Sequence, residues 1–297
     1  MRKLLTLVCA LAAILAISAA PASAVTGNFE EDFEHPYVGL VVFYDAEGEF
    51  LWRCSGSLLT LTVFLTAGHC TDQDAEVSPV SARVYFQQDA GANYDPATEV
   101  DPISGYPETC AAGTLGVTCA TSDELYDYGF DDFAGFPNTG DVGLLILDQP
   151  ITLSEYGSLA APGTLDSLAT ERGRQDVTFT VAGYGVSKTN PVFTESYRSR
   201  LMAETKLVNL NSANAGGFNI QLSSAPAQGR GGSCFGDSGG PVFLGGFESD
   251  LIVGVNSFVL NGNCRGVGFG YRVDSAEVQA WIESLIGEDE FAKIEIV

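Results

Sequence analysis

From Tyr37 onward the chain is built of short apolar runs, each closed by Gly, Asn, Asp or Pro, and this punctuation limits what it can fold into. The runs include Val38-Gly39-Leu40-Val41-Val42-Phe43-Tyr44, Val63-Phe64-Leu65 and Val142-Gly143-Leu144-Leu145-Ile146-Leu147. Val177-Thr178-Phe179-Thr180-Val181 and Leu251-Ile252-Val253-Gly254-Val255 follow, and Asn261-Gly262 marks one of the turns between runs. β-Branched and aromatic side chains suit a pleated surface packed on one or both faces, and runs this short suit strands better than helices. The pattern predicts an all-β sandwich or barrel. The sequence contains no internal repeat and no low-complexity tract.

The first residues read as an export leader. Arg2 and Lys3 precede an apolar run from Leu4 to Ala20, and Ala22-Ser23-Ala24 is a small-residue cleavage site. The run is short for a membrane span, and small residues rather than charges follow it. Residues 1–24 are therefore expected to be a signal peptide, leaving a secreted, extracellular chain of 25–297 that does not stay in the membrane. Cys9 leaves with the leader, since it lies too early to be a lipid-attachment site. Cys54, Cys70, Cys110, Cys119, Cys234 and Cys264 remain. An even number in an exported chain points to disulfides, although six cysteines allow fifteen pairings. No C-x-x-C pair occurs and the chain has 2 histidines, which argues against a structural zinc site. Neither metal nor cofactor is expected.

Charge narrows the partners. The formal net charge is −24, becoming −26 without Arg2 and Lys3, and no Lys or Arg lies between Val84 and Glu171. Phosphates would be repelled, so nucleic acid is excluded as a partner. The acids are read as a solubility or salt-tolerance feature. A calcium site among Asp123 to Asp132 is the sharper alternative, but no ordered ligand loop is visible there. Gln87 to Gly140 is long, acidic and rich in Gly and Pro, and is expected to contain surface loops. One helix is predicted at the end, where Val278, Trp281, Ile282, Leu285 and Ile286 share a face. Asp274 is its expected cap, Glu277 completes a capping box, and Gly287 ends it.

The sharpest motif is Gly236-Asp237-Ser238-Gly239-Gly240-Pro241. A serine hydroxyl becomes a useful nucleophile when a base takes its proton and a site receives the oxyanion. Flanking glycines allow a tight turn and leave the Gly236 and Ser238 amides free for that oxyanion. Taken alone, the motif also fits the nucleophile elbow of an esterase or lipase, or a plain Gly-rich turn. In the esterase order the histidine follows the serine, whereas His35 and His69 both precede Ser238. His69 ends an apolar strand beside Cys70, while His35 sits in an acidic, exposed-looking stretch, so His69 is the candidate base. Asp141 opens a strand apolar on both faces. A carboxylate there needs a partner, and the His69 imidazole is one that would fix its tautomer. Asp148, at the far end, is expected in a solvent-facing turn.

Thr66-Ala67-Gly68-His69-Cys70, Asp141-Val142-Gly143-Leu144-Leu145 and the Ser238 motif together resemble the three signatures of the trypsin/chymotrypsin family of serine proteases, in its order. Ala182-Gly183-Tyr184-Gly185 and Asn256-Ser257-Phe258 are similar to further family segments, and the resemblance runs from Val25 to about Leu285. It implies two antiparallel six-stranded β-barrels, the first about 25–155 and the second, with the C-terminal helix, about 156–297. It also implies a Ser238–His69–Asp141 triad in the cleft between them, Ser257 supporting Asp141, and an acyl-enzyme route to peptide hydrolysis. The pairings it implies are Cys54–Cys70 and Cys234–Cys264, which leaves Cys110 with Cys119.

Two further expectations come from the resemblance. Cleavage after Ala24 creates Val25-Thr26-Gly27-Asn28, similar to the family's activating start, whose ammonium would pair with Asp237. The specificity pocket would have Gly232 at its base and Ser233 beside it, with Val259 and Gly268 on its walls. With no carboxylate at these positions, polypeptide substrates are expected to be cut after small or medium apolar residues. The molecule is expected to work as a monomer. The competing reading, an inactive protease-like binding protein, has to explain why all three triad positions are intact.

Overall fold

The computed structural model describes residues 25–90, 118–169, 176–189, 194–196 and 198–297. It contains two β-barrels. Strand Val38–Tyr44 is buried along its whole length, which accounts for a run apolar at every position rather than at alternate ones. It pairs antiparallel with Phe50–Leu58 on one side and Ser81–Tyr85 on the other. Phe50–Leu58 continues to Val63–Thr66, then Gly143–Ile146, then Glu124–Asp127, while Ser81–Tyr85 pairs with Cys119–Ser122. The two edge segments are thus separated by Asp123 alone, so the first barrel is nearly closed by one broken strand. Phe64 fills its interior. A Cβ at Gly56 would fall 2.3 Å from the Phe64 ring, and one at Gly39 would fall 2.9 Å away, so both strands need glycine to admit the ring. Burying such a side chain stabilises the fold by roughly 2 kcal/mol.

The second barrel closes completely. Thr178–Gly183, Leu201–Asn209, Asn219–Ser224, Gly266–Arg272, Leu251–Val259 and Pro241–Leu244 pair in that order, and the last returns to the first. Six strands match the expectation. Two short strands at the start of the described chain belong on this side of the molecule. Thr26–Gly27 pairs with Gly231–Gly232, and Glu30–Glu31 pairs with Leu201–Met202. The linker strand Ser158–Leu159 runs parallel to the start of Leu251–Val259.

Several local expectations are corrected. Beyond the surface loops expected there, the stretch 87–140 supplies strands Cys119–Ser122 and Glu124–Asp127, which complete the first barrel. His35 is fully buried, not exposed. The C-terminal helix spans Ala276–Ile286 and ends at Gly287 as expected, but its cap is Ser275, whose Oγ accepts from the Val278 amide. Asp274 is drawn away by Arg272, whose Nε lies 2.8 Å from its carboxylate, and by the Leu165 amide at 2.8 Å. Glu277 accepts from Ser275 Oγ rather than closing a box onto the backbone.

The disulfides Cys54–Cys70 and Cys234–Cys264 are formed. Cys119 is also disulfide-bonded. Its expected partner Cys110 lies outside the described residues, as do residues 1–24. Among the described residues no helix is long and apolar enough to cross a membrane.

Candidate active site

Strand Val63–Thr66 delivers His69 to the junction of the barrels. Ala67 is extended, and a single helical turn, Gly68–Thr71, then reverses the chain. The Cys54–Cys70 bridge ties this turn to the neighbouring strand. Asp141 precedes strand Gly143–Ile146, which pairs with Val63–Thr66, so sheet register sets the two residues side by side. Asp141 is fully buried and spends its carboxylate on neighbours. His69 Nδ1 lies 3.0 Å from both oxygens, the His69 amide donates to Oδ1 at 2.8 Å, and Ser257 Oγ donates to Oδ2. Three donors on one buried carboxylate leave it no reason to take up a proton. Burial alone would raise its pKa, but the His69 charge and these hydrogen bonds together carry it below the usual carboxylate value. Burial likewise disfavours charge on His69, yet the Asp141 charge and hydrogen bond, with Asp72, raise its pKa overall. A quarter of the His69 side chain remains exposed. Asp148 is exposed and accepts from Thr121 Oγ1, as a turn residue would.

The Ser238 turn is held by its carbonyls. Phe235 O accepts from the Val186 amide at 2.8 Å, and Asp237 O accepts from the Gly240 amide at 2.9 Å. Each carbonyl shares a peptide plane with the next residue's N–H, so these bonds direct the Gly236 and Ser238 amides the opposite way. Among the described residues nothing accepts from either amide. Gly236 and Gly239 hold φ of 93° and 78°, where side chains are strained. A Cβ on Gly239 would also fall 2.1 Å from Thr66 Oγ1.

Asp237 is buried and points away from the cleft. Its oxygens accept from the Gly185 and Cys234 amides, both at 2.8 Å. Burial dominates and pushes its pKa up to about 7, against these hydrogen bonds and the Arg53 charge. Gly183 and Gly185 are small for a reason: a Cβ on either would meet Asp237 at 2.5 Å. Val25 is fully buried among second-barrel side chains, and Thr26 Oγ1 donates to Gly232 O and Cys264 O.

His69, Ser238, Ser233, Ser257 and Val259 line one cleft of about 410 Å³. Gly232 and Gly268, expected at its base and wall, adjoin Ser224 and Ser233 and are not among the residues lining it. A Cβ on Gly232 would strike Ser224 Oγ at 1.8 Å, and one on Gly268 would sit 3.2 Å from Ser233 Oγ. One wall went unanticipated. Phe130 lies 5.9 Å from the His69 ring and 5.2 Å from Phe133, which contacts Phe258 at 5.6 Å, and Phe258 stacks on Phe269 at 4.4 Å. The supposed acidic loop thus contributes aromatics to the cleft. The spacing of Phe130, Phe133 and Phe136 among aspartates was the available signal. Cys54, His69 and Cys70 converge as three ligand-type residues. Their sulfurs are joined in the disulfide, so no thiolate is offered to a metal.

Comparison with known proteins bears on the family and the fold. The trypsin family model matches residues 25–282. CLIP domain-containing serine protease B10 of Anopheles gambiae is 24% identical, over 74% of this chain and 58% of its own length, so the chain spans under two thirds of that relative. Chymotrypsin-like elastase family member 1 of Felis catus is 24% identical over 75% of this chain and 74% of its own. Among solved structures, HL collagenase superposes with a TM-score of 0.60 at 19% identity, covering 88% of this chain and 97% of that one. A scabies mite inactivated protease paralogue reaches 0.56 at 17% identity, covering 89% and 98%, so the fold alone does not certify turnover. The match of the family model over nearly the whole described chain places it: this protein belongs to the trypsin family of serine endopeptidases.

Proposed function

We propose that Ser238 is the nucleophile, His69 its base and Asp141 the group that orients and charges-balances the imidazole. The observation that carries this reading is the fully buried Asp141, held by the His69 ring, the His69 amide and Ser257, with His69 and Ser238 facing one cleft. Ser238 Oγ adds to the substrate carbonyl while His69 Nε2 takes the hydroxyl proton. The oxyanion is received by the Gly236 and Ser238 amides, which have no acceptor among the described residues. His69 then passes its proton to the leaving amine, an acyl-enzyme remains, and water releases it by the same steps in reverse. A serine-directed phosphonyl fluoride should label the protein stoichiometrically, and Ser238→Ala should abolish both labelling and peptide hydrolysis. Labelling that survives in Ser238→Ala refutes the assignment.

The substrates are polypeptides, cut after small or medium apolar residues. Ser233 and Val259 on the cleft wall, and the lack of a carboxylate at Gly232, Ser233, Val259 and Gly268, support this preference. A peptide panel in which Arg-containing members are cleaved best would overturn it. The protein acts outside the cell as a monomer, after cleavage at Ala24–Val25 frees an ammonium for Asp237. The cost of burying Asp237 without a full countercharge, and the docking of Thr26 on Gly232, support that pairing. N-terminal sequencing of active protein should begin at Val25.

A further inference from the structure

Three consecutive peptide planes make up the oxyanion turn. The outer two, Phe235–Gly236 and Asp237–Ser238, carry the free amides, and their carbonyls are held within the second barrel by Val186 and Gly240. The middle plane, Gly236–Asp237, is held at its N–H by the Cys234 carbonyl, 3.0 Å away. Its carbonyl is held from the other barrel. Ser55 Oγ, on strand Phe50–Leu58, donates to Gly236 O at 2.8 Å. The same Oγ accepts from the Tyr184 amide at 2.9 Å, so its one proton is committed to Gly236. The Ser55 amide donates to Ser238 O at 2.8 Å, and Ser55 O accepts from Thr66 Oγ1 at 2.7 Å. Ser55 is fully buried and every polar group it owns is used.

We infer that Ser55 is a positioning residue for the oxyanion site: its hydroxyl locks the middle peptide and thereby the direction of both flanking amides. The inference rests on the proposed triad chemistry. Gly236 has no Cβ to confine its torsions and sits at φ 93°, so the orientation of its peptide has to come from outside the residue. Without the hydroxyl, the Gly236 carbonyl and the Tyr184 amide both lose a buried partner, and the middle plane keeps only its N–H bond to Cys234 O, so its orientation is less tightly fixed. Rotation there moves the Gly236 amide on one side and the Ser238 amide on the other.

The test is Ser55→Ala, with Ser55→Gly as a second variant should alanine fail to fold. Removing an oxyanion donor outright costs on the order of 100-fold or more in kcat, and loosening both donors should cost about tenfold, with KM nearly unchanged. A peptide aldehyde, which forms a tetrahedral adduct on Ser238, should lose affinity by the same factor. The matching peptide amide, which forms none, should bind as before. A purely structural serine would lower the melting temperature and leave the aldehyde-to-amide ratio alone. An unchanged ratio in folded, titrated variant overturns the inference. If the unmodified protein is neither labelled at Ser238 nor able to cleave peptides, the triad reading falls and this inference with it. If it does both and the ratio does not move, only the role of Ser55 falls.

Discussion

The chain has two histidines, and both sit against a buried aspartate. Around His69, Nδ1 lies 3.0 Å from Asp141 and the His69 amide donates to the same carboxylate. Around His35, Nδ1 lies 2.9 Å from Asp32, and the His35 amide again donates to that carboxylate, at 3.0 Å. The difference is on the other side of the ring. His35 is fully buried, stacks on Phe243 at 4.4 Å and directs Nε2 at the Ser249 carbonyl. His69 keeps a quarter of its side chain exposed, on the wall of the Ser238 cleft. A histidine–aspartate pair is therefore a structural joint or a chemical device according to whether the second nitrogen has somewhere to send a proton.

The sharpest way to break this contrast is alanine at each histidine. His69→Ala should cost on the order of 10⁶-fold in kcat by the precedent of triad deletions, with the melting temperature little changed. His35→Ala should lower the melting temperature clearly and leave kcat/KM per titrated site intact. A large loss of per-site activity in His35→Ala would mean the second pair is not merely structural.

The aspartates give a finer comparison. Asp141→Asn should cost about 10⁴-fold in kcat because the wrong tautomer is favoured. Asp32→Asn breaks a buried pair that also has Arg200 Nε within 3.9 Å, and should cost about 3–5 kcal/mol of stability, read by denaturant unfolding, with little effect on per-site turnover.

The smallest effect is in pH dependence. The Asp141 partnership raises the His69 pKa above the ordinary imidazole value of 6.5. Protonated His69 cannot accept the Ser238 proton, so kcat/KM should fall as pH drops through that raised value, and the midpoint should move down in Asp141→Asn. Folding stability runs the other way for this group. The pair's contribution through His69 is complete below 6.5 and is lost as pH rises through the raised folded pKa. A pH–rate profile and melts across the same range check both signs.

What the sequence revealed follows from locality. The segments around His69, Asp141 and Ser238 could be singled out because the chemistry proposed for them demands particular neighbours within a few residues. His35 misled because its environment is assembled from afar: acids surround it in the chain, while Ser249 and Phe243 meet its ring in space. The helix cap was misplaced by one residue because Arg272 competes for Asp274, a tertiary contact that capping rules do not contain. Within the acidic stretch, strand Glu124–Asp127 is masked by its own acids and Cys119–Ser122 is only four residues long, while the Ser224 and Ser233 contacts of Gly232 and Gly268 are tertiary and carry no local signal. Ser55 carried no signal at all, since one serine after a cysteine predicts nothing about a turn 181 residues away.

Strand Phe50–Leu58 belongs to the first barrel, yet Ser55 on it grips the turn that the second barrel presents. Neither barrel by itself supplies all the partners of this turn. Without the first barrel, the Gly236 and Ser238 carbonyls would lose the two partners that Ser55 supplies.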